Sequence, residues 1–247
     1  MWSKDNSPLG VLDPKIFVGK TPDDERLCAF ALALGLYFND SKALIGMTVR
    51  LIAEQPKLDK VCEELGEFSA LKNYLHRLIY AHIHELHYLL QSHLKEVSGM
   101  ASFKKIVEQL GPQERKNWGA LVAMATAQSD PQKEWFKSFR DGLAFHYVRH
   151  KDLYDGYLSW KESLESGKEP GQEGAYISLG SSVKTTRYYF SDAAAAAWMK
   201  KEWKKLANGE ETLNAMLERN ANALSGFINK FIVLRGGKQK RSKYPKL

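Results

Sequence analysis

The stretch FRDGLAFHY, residues 139–147, places an arginine and a histidine six positions apart in a segment that is otherwise largely apolar. Arg140 is followed directly by the polar residue Asp141, and His146 lies near the end of the stretch. A guanidinium holds an anionic phosphate in a planar fork, and an imidazole transfers a proton near neutral pH. The pair therefore indicates chemistry on a phosphodiester.

This stretch resembles the motif of the HEPN superfamily, in which an arginine and a polar residue are followed by a histidine after four to six intervening residues. The superfamily is all-helical and contains many metal-independent ribonucleases. The resemblance covers nine of the 247 residues. It implies an RNA substrate, no metal or other cofactor, and a homodimer in which two copies of the motif meet in one cleft.

The resemblance also implies the catalytic roles. His146 would act as general base or acid while the 2′-hydroxyl of RNA attacks the adjacent phosphorus. Arg140 would neutralise charge on the phosphoryl oxygens, and Asp141 would orient one of them. The alternative is structural, with Arg140 in a salt bridge and His146 in the core. On an unbroken helix six residues turn through about 600°, which separates the two side chains by roughly 120°.

Two further groups of residues are candidates for substrate binding. Arg149 and His150 follow His146 by about one helical turn, and they would either extend the anionic site or form an exposed polar turn. Glu85 and His87 lie on a predicted long helix, from which either would orient Arg140. Five of the seven histidines lie on that helix: His76, His82, His84, His87 and His93.

These histidines lack the spacing of a zinc protease, which needs two histidines four residues apart with a glutamate between them. We therefore predict no metal site. A metal-dependent helical-bundle enzyme stays a distant third interpretation.

Hydrophobic periodicity predicts a mainly α fold. Thr21 and Pro22 begin a helix that either stops near Phe38 or continues to Ala53. The next helix spans about 68–97, with leucines and isoleucines at three- and four-residue spacing. Helices over 101–110 and 113–127 follow, and Ser129-Asp130-Pro131 starts the helix that carries the motif.

After a turn-rich loop at 166–174, the spacing of apolar residues is no longer helical. Residues 176–179 and 184–190 predict a small β-hairpin insertion. Two C-terminal helices, 193–206 and 210–234, complete the chain. The predicted organisation is an irregular arm at 1–20, a HEPN-like helical bundle at 21–165, a hairpin with two helices at 166–234, and a flexible basic tail at 235–247.

The net charge of +7 is concentrated at one end, because residues 235–247 carry six basic residues and no acid. Such a tail binds nucleic-acid phosphates or is merely solvated. A second basic run, with lysines at 200, 201, 204 and 205, lies beside Trp198 and Trp203. It would touch phosphate or an acidic partner, or form the solvated face of an amphipathic helix.

The cysteine pattern and the N-terminus predict a cytoplasmic protein with no membrane association. Cys28 and Cys62 give neither metal-ligand spacing nor a disulfide framework. The apolar run from Leu27 to Phe38 is too short to span a bilayer. The leading hypothesis is a metal-independent HEPN-like endoribonuclease, and the resemblance implies a defence or toxin system as its context. The alternative is a non-catalytic helical module that binds RNA, a nucleotide or a protein partner.

Overall fold

The computed structural model describes residues 10–55, 63–128, 130–141, 150–167, 188–206, 213–237 and 240–241. Within these ranges the protein is mainly helical, as predicted. The helices are α1 (Pro22–Ala53), α2 (Glu63–Val97), α3 (Ala101–Glu108), α4 (Pro112–Thr126), α5 (Pro131–Phe139), α6 (His150–Glu165), α7 (Tyr189–Leu206) and α8 (Leu213–Leu234). Two-residue strands, β1 (Gly10–Val11) and β2 (Lys240–Arg241), pair antiparallel.

Helix α1 begins where the sequence predicts. The Thr21 hydroxyl accepts a hydrogen bond from the Asp24 backbone N–H at 3.2 Å, and Pro22 supplies the first helical position, which needs no donor. The helix continues without interruption to Ala53, so the single long helix is the correct alternative.

Helix α1 is also apolar enough, by length and composition, to cross a membrane. Its most apolar window of 18 residues has a mean hydropathy of 1.2 and is 33% buried. Core helices meet the same criterion, and Leu27, Phe30 and Leu34 of α1 are at most 4% exposed. The first part of α1 therefore contributes to the core of the first unit.

The chain forms two compact units, each assembled from separate stretches of sequence. The first unit comprises residues 1–43, 85–128 and 212–247, and the second comprises residues 44–84 and 129–211. The predicted boundary near residue 165 does not coincide with this division. Instead, α1 and α2 each contribute residues to both units.

The core of the first unit is centred on Phe227 of α8. Its ring stacks on Trp118 of α4 at 4.7 Å and meets Phe103 of α3 at 5.4 Å. The ring of Phe30 in α1 stands perpendicular to it at 5.9 Å. Aromatic pairs in such geometries add to the free energy gained from burial. Helix α1 near the start of the chain, α3 and α4 in its middle and α8 near its end therefore share one aromatic cluster.

The ends of the described chain also meet in the first unit. Arg235, directly after α8, donates to the backbone oxygen of Val18 at 2.8 Å. It also contacts the backbone oxygen of Ile16 and the carboxylate of Asp24. The sequence predicts that Arg235 begins the flexible tail, but in the structure this residue is part of the folded first unit. Likewise, the predicted irregular arm contains β1 and a short 3-10 turn, Pro14–Phe17.

The second unit contains part of α2 together with α5, α6 and α7. Tyr80 of α2 packs edge-on against Trp135 of α5, with ring centroids 4.9 Å apart. Trp160 of α6 and Trp198 of α7 are each 6% exposed. Helices α6 and α7 pack along each other more extensively than any other pair of described elements.

The predicted β-hairpin is not supported. Most of it falls in residues 168–187, outside the described residues. Its predicted last residues, Tyr189 and Phe190, begin α7 instead. The aromatic and β-branched residues of 184–190 predict a strand, but residues of these types can also pack in a helix.

Candidate functional site

The motif begins at the end of α5, and α5 is capped as the sequence predicts. The Asp130 carboxylate accepts a hydrogen bond from the Lys133 N–H at 3.0 Å, and its backbone oxygen accepts one from the Glu134 N–H. The first of these bonds satisfies a donor that the first turn of a helix leaves without an intrahelical partner, and the second is the first bond of the helix itself. One face of α5 is fixed by Trp135 and Phe136, which are 6% and 0% exposed.

Arg140 and Asp141 follow α5 in a π-type turn. Such wide turns break the regular spacing of side chains and are often found at functional sites. An Arg140 guanidinium nitrogen lies 3.2 Å from an Asp141 carboxylate oxygen. The two side chains are 34% and 40% exposed. The cation and its neighbouring acid are thus held together at a surface that solvent reaches.

The structure locates only part of the predicted catalytic set. His146 and Arg149 lie in residues 142–149, outside the described residues. His150 is the first residue of α6, and only its backbone is described. Arg140 and Asp141 therefore carry the structural evidence for the motif, while the positions of His146 and Arg149 stay predictions.

The two candidates on α2 differ in accessibility. Glu85 is half-buried, and His87 is only 1% exposed. Both belong to the first unit, whereas Arg140 belongs to the second. A side chain with almost no exposed surface cannot touch a bound RNA strand. We therefore assign His87 to the interior of the first unit instead of a substrate surface.

The helix that leads to Arg140 is supported by an aromatic cluster. Tyr80 lies between the rings of Trp135 and Phe136, at centroid distances of 4.9 Å and 6.0 Å. Burial raises the pKa of the Tyr80 hydroxyl to about 12, so this phenol stays protonated at neutral pH. Tyr80 thus packs against α5, the helix that leads to Arg140.

The sequence did not reveal an ion pair that links α2 to α7. An Arg77 guanidinium nitrogen lies 3.7 Å from an Asp192 carboxylate oxygen, with side chains 13% and 16% exposed. The sequence predicted Asp192 as a helix cap, but α7 begins three residues earlier, at Tyr189. Local patterns cannot show a pair between residues so far apart in the chain.

A second missed feature is the close approach of α6 and α7 at Gly156. A Cβ atom at this position would meet the backbone oxygen of Ala194, and it would lie 2.8 Å from the Trp198 Cβ. Only glycine permits this separation. The helix that leaves the motif is therefore packed tightly on α7.

Among the described residues, no group of three or more histidine, cysteine, aspartate or glutamate side chains is arranged to hold a metal ion. The histidines of α2 that the structure describes thus do not form a metal centre with their described neighbours. Comparison of the chain with protein-family models, curated proteins and solved structures found no match in any of the three.

Proposed function

We propose that the protein is a metal-independent endoribonuclease of the HEPN type, acting in the cytoplasm as a homodimer. Arg140 neutralises the phosphoryl oxygens, Asp141 orients one of them, and His146 transfers protons. The 2′-oxygen forms a bond to phosphorus as the bond to the 5′-oxygen breaks. The products are a 2′,3′-cyclic phosphate and a 5′-hydroxyl end.

The observation that supports this proposal most is the pairing of Arg140 with Asp141 at a partly exposed helix end. A structural salt bridge would be consistent with the same distance. However, a phosphate-binding arginine needs a guanidinium that solvent reaches, and Arg140, at 34% exposure, meets that requirement. The order of an arginine followed directly by a polar residue is also that of the motif the sequence resembles.

Arg149 and His150 stay in the proposed substrate-binding set because they follow the motif directly in the sequence. Glu85 stays a prediction from the sequence alone, because it belongs to the first unit and Arg140 to the second. His87 is left out because it is buried.

Cleavage of a labelled single-stranded RNA in EDTA tests the proposal. Arg140→Ala and His146→Ala should each reduce the rate by at least 100-fold, the scale expected for losing charge stabilisation or proton transfer. The cleaved RNA should carry a 2′,3′-cyclic phosphate. RNA with 2′-O-methyl groups should remain intact, because it has no free nucleophile.

Two surface residues provide matched controls. Arg26 also pairs with a nearby acid, Asp23, but at an exposed position of α1. His93 is exposed on α2. Arg26→Ala and His93→Ala should leave the rate unchanged. Equal losses in the controls would show that the loss is not specific to this site, and an unchanged rate in Arg140→Ala and His146→Ala would identify a contaminating nuclease.

The dimer is tested separately by light scattering at micromolar concentration. A dimer that binds RNA but cleaves none would favour the alternative, a non-catalytic RNA-binding module. Cleavage that stops on chelation would contradict the metal-independent mechanism.

A further inference from the structure

Helix α7 carries two exposed lysines directly after a pair of buried residues. Trp198 and Met199 are each 6% exposed and pack inside the second unit. The next two residues, Lys200 and Lys201, are exposed. One turn further along the same helix, the sequence places Lys204 and Lys205, with Glu202 as the single acid between the two pairs.

This concentration of charge is unusual for the chain. The six basic residues of 235–247 account for most of the net charge of +7, and everything before them carries only about +1. Four lysines within six residues of α7 are therefore a local excess of positive charge in an otherwise nearly neutral body. Lysines at such density in the sequence attract polyanions, and the attraction weakens as salt increases.

The lysines are fixed relative to the helix that leaves the motif. Gly156 of α6 allows the backbone of α7 to approach at Ala194, just before the buried Trp198. Helix α5, whose end leads to Arg140, also contacts α7. A strand held by the lysines would thus be held on a rigid pair of helices that includes the one following the motif.

We propose that the exposed lysines of α7, Lys200 and Lys201, bind the phosphate backbone of single-stranded RNA, within a lysine run that the sequence continues with Lys204 and Lys205. The choice of RNA over an acidic protein rests on the proposed function, because the same unit carries the phosphodiester motif. Lysine suits this task, since it acts as a flexible point charge toward successive phosphates. The contact would be independent of base sequence.

Fluorescence anisotropy with a 2′-O-methyl RNA 20-mer measures this binding without any cleavage. The double variant Lys200→Gln/Lys201→Gln should raise the Kd roughly tenfold at 0.1 M salt. It should also reduce the slope of log Kd against log salt by about 1.4, since each phosphate contact to a single strand contributes about 0.7. The full chain is used throughout, so the basic residues at 235–247 are the same in every variant.

A matched control exists on α3, where Lys104 and Lys105 are also adjacent and exposed. Lys104→Gln/Lys105→Gln removes the same charge and should change neither the Kd nor the slope. Circular dichroism should show equal helix content in both double variants.

Three outcomes would overturn the proposal. The first is that the α7 variant binds RNA as tightly as the wild type does. The second is that the α3 variant loses as much affinity as the α7 variant. The third is that the α7 variant loses binding to polyglutamate while its binding to RNA is intact. The last result would identify an acidic protein as the partner. Failure of the ribonuclease proposal is a separate result, because an uncleavable probe reports binding whether or not the protein cuts RNA.

Discussion

The guanidinium of Arg235 binds the carboxylate of Asp24, a residue 211 positions earlier in the chain. The same side chain donates to the backbone oxygens of Ile16 and Val18, and it lies over the ring of Phe231 at 5.3 Å. Arg235 and Asp24 are 18% and 21% exposed. One arginine therefore joins the end of α8, the start of α1 and the segment before α1.

Replacing this arginine should destabilise the protein. Arg235→Ala leaves a largely buried carboxylate and two carbonyl oxygens without their donor, so the free energy of unfolding should fall by about 2–4 kcal/mol. Chemical denaturation measures the change. Arg26→Ala breaks an exposed pair with Asp23 and should cost less than about 0.5 kcal/mol. Equal effects from the two variants would mean that the Arg235 contacts contribute nothing special.

The same contact predicts sensitivity to acid. Hydrogen bonding from Arg235 holds the pKa of the Asp24 carboxyl below its usual value of 3.8. Protonation then favours the unfolded chain, so this contribution to stability is complete above pH 3.8 and is lost as the pH falls below it. Thermal unfolding of Asp24→Asn should depend less on pH than the wild type between pH 4 and pH 2. Parallel curves for the two proteins would contradict this expectation.

A histidine should produce a second, milder pH dependence. Burial lowers the pKa of His76 below 6.5, and the nearby Lys72 lowers it further. Because the unfolded chain binds the proton more readily, stability from the neutral imidazole is present above pH 6.5 and declines below it. His76→Gln should flatten the decline between pH 6.5 and pH 5. His93→Gln, at an exposed position of the same helix, is the control and should leave it unchanged.

Two glycine substitutions should have opposite effects on stability. Gly156→Ala forces a Cβ atom against Ala194 and Trp198, and overpacking of this kind costs about 1–3 kcal/mol. Gly119→Ala, within α4, meets no atom within 4 Å. It should stabilise the protein by about 0.5–1 kcal/mol through better helix propensity. Stabilisation by both variants would show that α6 and α7 separate without cost.

The sequence predicted the helices better than their arrangement. Thr21 with Pro22 and Asp130 with Pro131 marked two helix starts correctly, because capping depends on neighbouring residues. Leu75, Ile79 and Ile83 are buried as their spacing predicts, although Leu71, in the same pattern, is 46% exposed. Periodicity identifies an apolar face but not where the partner surface ends.

The candidate site was predictable only in part. The local order of Arg140 and Asp141 is visible in the sequence, and the structure places the two side chains together. The burial of His87 and the pairing of Arg77 with Asp192 were not predictable, because both depend on contacts between helices that are remote in sequence. The division of α2 between two units was not predictable either, because it also depends on such contacts.

The way the first unit is assembled affects how the chain folds during synthesis. Its core needs Phe30 near the start of the chain and Phe227 near the end. A ribosome therefore has to release nearly the whole polypeptide before α8 can cover the apolar faces of α1, α3 and α4. Until that moment the nascent chain exposes Phe103 and Trp118, which chaperones recognise, and a product truncated before residue 213 would leave those faces uncovered and be an easy substrate for proteases.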